Sequence, residues 1–263
     1  MIENFFQSLN DTRVDYLLIS GQAAVLYGAA TFSEDIDLWV APDSENIEIF
    51  LAALRTARAS YYKLTPLFTV ENMLRGHGFH FTLPLAPGDE AFLDVMGVPP
   101  RVGLFKEAKC AAQWKETDWG RIHTIGIKDL VELKRTQRLE DYPVISKLAL
   151  AYLDQPESSG DAADLQWALG NVFVLSELRQ LLSDRFAGVR ALLSDLPDSL
   201  KEFEEQWRMT GEVSEVVEQQ VSDWMQGRIS QFQNVDRHYW REIIRELKIF
   251  RGEGRLVLEG SPV

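Results

Sequence analysis

The stretch YLLISGQAAVLYGAATFSEDIDLWV, residues 16–40, decides the fold. Its opening, residues 15–20, reads as a buried central strand, because Tyr16, Leu17, Leu18 and Ile19 are apolar without alternation. Ser20 suits a helix cap, and residues 22–27 read as the helix that follows. Residues 28–34 read as a loop and residues 35–40 as a second strand. Alternate side chains of a strand point to opposite faces. Asp35 and Asp37 therefore share one face, while Ile36, Leu38 and Val40 enter a core. Two like charges on one face repel, and a divalent cation with a preference for hard oxygen ligands relieves that repulsion. In the Ser20-Gly21-Gln22 turn, Gly21 permits close approach of a ligand to backbone, and the amides of the helix start attract phosphate.

Outward from this stretch, the first half of the chain alternates between helices and strands. Residues 2–9 read as a short amphipathic helix. Pro42 and Ser44 introduce a helix with Ile47, Phe50, Leu51 and Leu54 on one face. Residues 66–75 suggest a short helix. Residues 78–85 and 90–97 read as two strands turned by Pro87-Gly88, and residues 120–127 as a weaker strand. From Lys128 onward the spacing is helical, over 162–182, 186–193, 200–207, 213–224 and 234–250. The polar stretch 155–160 is the expected boundary between domains 1–154 and 161–263. Strands first and helices later predict an α+β chain: a mixed β-sheet with flanking helices, then a helical C-terminal domain.

Composition narrows the function classes. The chain has 263 residues, 46% of them apolar, which is enough for a sizeable core. Its 27 basic and 40 acidic residues leave a net charge of −13, which opposes sequence-independent binding to a nucleic-acid backbone. Cys110 is the only cysteine, so no internal disulfide forms and a reducing, cytoplasmic setting is expected. The first residues lack a secretory pattern, and no apolar run approaches the roughly 20 residues of a membrane span.

A third carboxylate, Asp94, lies in Phe92-Leu93-Asp94-Val95-Met96, where an apolar strand makes a charge costly unless it is paired or bound to a cation. With Gly21, Asp35 and Asp37 it completes a pattern. The segment resembles the opening of the nucleotidyltransferase superfamily, the DNA polymerase β-like fold, and within it the AbiEii/MenT-type bacterial branch, which includes toxins of toxin–antitoxin pairs. The resemblance covers roughly residues 1–150. It implies an enzyme that transfers a nucleoside monophosphate from an NTP to an acceptor hydroxyl, using two Mg²⁺ ions held by Asp35, Asp37 and Asp94. It implies a nucleotide-binding turn at Ser20, Gly21 and Gln22, with Ser33 where relatives commonly carry Thr. It also matches Lys134, Arg138 and Asp141 to a later helix that contacts the triphosphate. The acceptor it implies is a tRNA end, a protein side chain or a small molecule, and a cognate antitoxin is an implied partner. Gln22 stands where the family usually has Gly or Ser, and Thr31 where many relatives carry Arg. A second reading is therefore a decayed transferase fold that binds a nucleotide or protein partner without catalysis.

Blander roles stand beside these. Asp35 and Asp37 also suit the solvent face of an edge strand, and Asp141 a simple ion pair with Lys134 or Arg138. His77 and His80, without a matching carboxylate set, read as turn and strand residues. Cys110 reads as a small core residue. Trp39 reads as packing at its strand end. The basic series Arg237, Arg241, Arg245, Lys248 and Arg251 reads as a solvated helix face.

Overall fold

The computed structural model describes residues 2–86, 88–192 and 196–263. The chain divides into two compact units. One comprises Met1–Leu26, Ala30–Leu133 and His238–Val263, and the other Tyr27–Ala29 and Lys134–Arg237.

In the first unit the elements run α1 (Ile2–Asp11), β1 (Tyr16–Ile19), α2 (Ser20–Leu26), β2 (Ile36–Val40), α3 (Ser44–Thr56), β3 (Ser60–Tyr61) and β4 (Thr65–Pro66). They continue with α4 (Val70–Leu74), β5 (Gly78–Ala86), β6 (Asp89–Met96), α5 (Phe105–Ala111), β7 (Gln113–Thr117), β8 (Gly120–Thr124) and α6 (Ile127–Lys134). One mixed sheet has the order β3-β5-β6-β2-β1-β8-β7. β1 runs antiparallel to β2 and parallel to β8, and β2 runs parallel to β6. One face of this sheet presents Leu18, Leu38, Leu93, Val95, Phe79 and Phe81 to Phe5 and Phe6 of α1 and Phe50 of α3. Each such side chain contributes about 1.5–3 kcal/mol on burial. The α3 helix starts where Asp43 accepts from the Asn46 amide. Asn46, itself buried, donates to the carbonyls of Asp15 and Ala41 at 3.0 Å each, tying the start of β1 to the end of β2.

The second unit is helical, with α7 (Asp141–Leu153), α8 (Ala162–Leu169), α9 (Leu175–Asp184), α10 (Phe186–Leu192), α11 (Asp198–Thr210) and most of α12 (Glu215–Gly252). The last part of α12 belongs to the first unit, as does β9 (Leu256–Val257), which pairs with β4. The α+β class expected from the sequence is the observed one, a mixed sheet with flanking helices and a helical stretch toward the C-terminus. Among the described residues no helix is long and apolar enough to cross a membrane.

Several boundaries differ from the sequence reading for physical reasons. The 155–160 stretch lies inside the second unit, and the chain does not divide at 154 and 161. The composition of a linker is used there for a different purpose. The buried Asp164 carboxylate accepts from Tyr152 Oη, Ser158 Oγ, Ser159 N and Ser159 Oγ at 2.9–3.1 Å, so the polar loop wraps a buried charge. The segments 213–224 and 234–250 fuse into α12, because Val217, Val221, Met225 and Ile229 continue one buried stripe at a spacing of four. The expected helix over 162–182 breaks after Leu169. β7 escapes the sequence reading because it is a half-exposed edge strand of polar sequence. Cys110 is exposed, since the short α5 buries Ala108 instead. The expected turn residue Pro87 and the helix end at Leu193 lie outside the described residues.

Candidate active site

The bend after β1 is built by crowding. Ser20, the first residue of α2, takes a left-handed φ of +60°, which turns the chain sharply from strand to helix. A Cβ placed on Gly21 would stand 2.2 Å from Ser33 Oγ and 2.8 Å from Ser33 Cβ, so only glycine admits the loop at this point. Gln22 Nε2 donates to the Ser33 carbonyl at 2.7 Å. The Ser33 hydroxyl reaches the Asp35 carbonyl at 3.4 Å. The side-chain amide of Gln22 is therefore committed to pinning the loop that leads into β2. Thr31, on that loop, is exposed.

The carboxylates follow from strand register. Across the parallel β2–β6 pair, Asp37 lies opposite Asp94. Ile36, Leu38, Leu93 and Val95 point into the core, so Asp37 and Asp94 share the other face. Asp35 immediately precedes β2 and is half-buried. Across the β5–β6 pair His80 lies opposite Asp94, and His80 Nδ1 is 2.7 Å from Asp94 Oδ1. Ile19, Asp37, Asp94 and His80 thus form one row over β1, β2, β6 and β5. Asp94 and His80 retain 26% and 28% side-chain exposure, which leaves the row open to a ligand.

The surroundings are aromatic. Trp39 is buried at the strand end, donates Nε1–H to the Gly97 carbonyl at 2.8 Å and meets Phe105 edge-on at 5.4 Å. It packs there, as its sequence position suggested. One pleat before Asp94, the Phe92 ring lies 4.8 Å from Tyr62, and the Lys63 ammonium sits 4.7 Å from the centre of the Tyr62 ring. His80 is the site residue that sequence reasoning passed over.

Hard carboxylate oxygens on adjacent strands suit a cation such as magnesium. Asp37 and Asp94 fit that chemistry as a pair. A full ligand set is not gathered: among the described residues no three His, Cys, Asp or Glu side chains form a group able to hold a metal. One oxygen of Asp94 is already engaged by His80.

Lys134, Arg138 and Asp141 come together in the second unit. Asp141 is buried and accepts from Lys134 Nζ at 3.0 Å, Thr136 Oγ1 at 2.6 Å and Arg138 Nε at 3.1 Å. Lys134 is buried with it, while Arg138 is mostly exposed. Each half of this ion pair neutralises the other, and removing one side would strand a buried charge.

No known protein-family model matches the chain, and no curated protein matches it. Among solved structures, it superposes on an antigenic nucleotidyltransferase-like protein from Paracoccidioides brasiliensis at 13% identity and a TM-score of 0.36, covering 76% of this chain and 90% of that one.

Proposed function

We propose that the chain is a magnesium-dependent nucleotidyltransferase, moving a nucleoside monophosphate from an NTP to an acceptor hydroxyl. The observation that carries this reading is the register that sets Asp37 beside Asp94 on the sheet face opposite the main core, next to the glycine bend. Asp35 and Asp37 would hold the cations, with Asp94 completing the set. Bound magnesium, as a pair of ions, would neutralise charge on the triphosphate as a Lewis acid. In this reading Asp94 takes the proton of the acceptor hydroxyl, and His80 fixes the orientation of that carboxylate through Nδ1. The backbone amides of Ser20, Gly21 and Gln22 meet the β- and γ-phosphates, and the Ser33 hydroxyl stands beside them. The sequence resemblance also assigns nucleotide contacts to Lys134, Arg138 and Asp141, which lie in the second unit. The acceptor is a tRNA end, a protein side chain or a small molecule, and a toxin restrained by a cognate antitoxin is the cellular role that the sequence resemblance suggests.

A second reading has its own support. The bond from His80 to Asp94, and the absence of a gathered three-ligand group among the described residues, favour a module that binds a nucleotide or protein partner without catalysis. Two measurements separate the readings. Purified protein given Mg²⁺, labelled NTPs and each acceptor class should release pyrophosphate, and Asp35→Ala with Asp37→Ala should abolish release. Turnover that survives the double change removes the transferase mechanism. Calorimetric NTP binding that is indifferent to Mg²⁺, without turnover, selects the binding module.

A further inference from the structure

A buried histidine in the first unit keeps its ring nitrogens unbonded. His123, on β8, is 9% exposed, and its ring stacks on Trp114 across the β7–β8 pair at 4.5 Å. Among the described residues neither ring nitrogen has a hydrogen-bond partner, and neither is sealed from solvent. His123 lines a cleft of about 240 Å³ together with Arg13, Asp15, Tyr16, Lys109 and Trp114, so the accessible edge of the ring opens into it. The cleft sits where β1 begins, at the other end of that strand from the glycine bend. Other polar groups of the lining are engaged. Tyr16 donates its hydroxyl to Asn10 Oδ1 at 2.9 Å, and the Lys109 ammonium pairs with Asp15. Nearby Arg121, 4.9 Å over the Trp114 ring, pairs with Glu116 at 3.7 Å. Arg13 is exposed and has no ion-pair partner among the described residues. Burial, with the charge of Lys109, holds the His123 pKa below its ordinary value against the pull of Asp15, and Arg121 lowers it further. The imidazole is therefore neutral at neutral pH, with one N–H to donate.

A largely buried polar group that the fold leaves unbonded calls for a partner from outside it. The charges of the lining select that partner. Asp15 cancels Lys109, which leaves the single positive charge of Arg13. A monoanion balances it, whereas a dianion would meet the repulsion of Asp15. The planar fork of a guanidinium matches both oxygens of a carboxylate. The cleft is smaller than the ~300–1,000 Å³ of drug-sized sites, and Tyr16 and Trp114 give it aromatic walls, so the remainder of the ligand is compact and apolar. We propose that this cleft binds a small organic monocarboxylate, held by Arg13 and the His123 imidazole, with Trp114 bordering its apolar body. This site is independent of the proposed transfer chemistry.

Thermal unfolding and calorimetry of the full chain at neutral pH test it, with benzoate, acetate and inorganic phosphate titrated against chloride at equal ionic strength. The midpoint should rise with benzoate concentration, as linkage requires of a ligand bound by the native state. Acetate, which lacks the apolar body, and phosphate, which is partly a dianion, should raise it less. Arg13→Asn removes the charge and keeps a residue that tolerates the φ of +59° at this position. His123→Phe keeps a ring against Trp114 and removes both nitrogens. Each change should weaken benzoate binding about tenfold or more, the loss expected for a hydrogen bond to a charged group. A wild-type midpoint that is the same in benzoate and chloride overturns the proposal, and this comparison needs no variant to fold. A benzoate response unchanged in Arg13→Asn also overturns it, as does tighter binding of phosphate than of benzoate.

Discussion

Gly21 is constrained by its neighbour and not by its own backbone. Its φ lies outside the left-handed region, so alanine there is opposed only by Ser33, whose Cβ and Oγ occupy the space a methyl group needs. Gly21→Ala should cost about 1–3 kcal/mol, the usual penalty of overpacking, measured by urea unfolding. Gly21→Ala with Ser33→Gly should recover most of that loss. An additive double variant would show that the clash lies elsewhere. The acids of the candidate site were legible at this scale, because an Asp-x-Asp at the mouth of an apolar strand and a lone Asp inside another both violate burial. His80 was not. A hairpin that pairs Ala86 with Asp89 and continues in plain register sets His80 opposite Val95, on the core side. A bulge between Pro84 and Ala86 shifts the pairing by one, and His80 turns to Asp94. Pro84 hints at an edge or a bulge, but it does not say by how many residues the pairing shifts.

Among the elements, the end of α12 is joined to the turn between α4 and β5 through Glu246. That carboxylate takes Arg75 on one oxygen and His77 Nε2, at 2.9 Å, on the other. His77 is fully buried, its Nδ1 has no partner, and it lies 5.4 Å from the Phe250 ring. Burial lowers its pKa against the pull of Glu246, and the nearby Arg75 lowers it further. The sign follows directly. The unfolded chain takes up a proton on this ring near its ordinary pKa while the native state resists, so stability falls as the pH drops through that value. Denaturant titrations between about pH 7.5 and pH 5.5 should show the wild type losing more stability than His77→Gln, which keeps a donor for Glu246. An equal loss in both proteins would assign the pH dependence to other groups. The helices themselves were largely readable from periodicity. Their joints were not, because Met225 and Ile229 extend a stripe through a segment whose polar composition suggests a break.

For the whole molecule, the sequence indicated an α+β class and misplaced the seam. The first unit needs residues far down the chain. Beyond β9, Tyr61 N donates to the Ser261 carbonyl, Gly260 N to Tyr61 and Val263 N to Ala59, so the final residues run along β3. A fragment of residues 1–154 would lose these bonds together with Glu246. At about 0.5–1.5 kcal/mol per hydrogen bond, the three backbone bonds alone amount to roughly 1.5–4.5 kcal/mol, a large share of the roughly 5–15 kcal/mol typical of a folded domain. The fragment should melt well below the full chain and show weakened near-ultraviolet dichroism. Matching stability would mean that the late residues are dispensable. The return of the chain was not legible because strand pairing over so long a separation leaves no local trace in composition.

The parallel ladder between β2 and β6 has an evolutionary corollary. Insertions or deletions in the connections between Asp37 and Asp94 can change their separation along the chain while leaving them side by side. Adding one residue within either strand would exchange an acid for a leucine or isoleucine. Descendants of this sequence are therefore free to vary in loop length and bound to these two strands, and motif spacing alone will fail to align them.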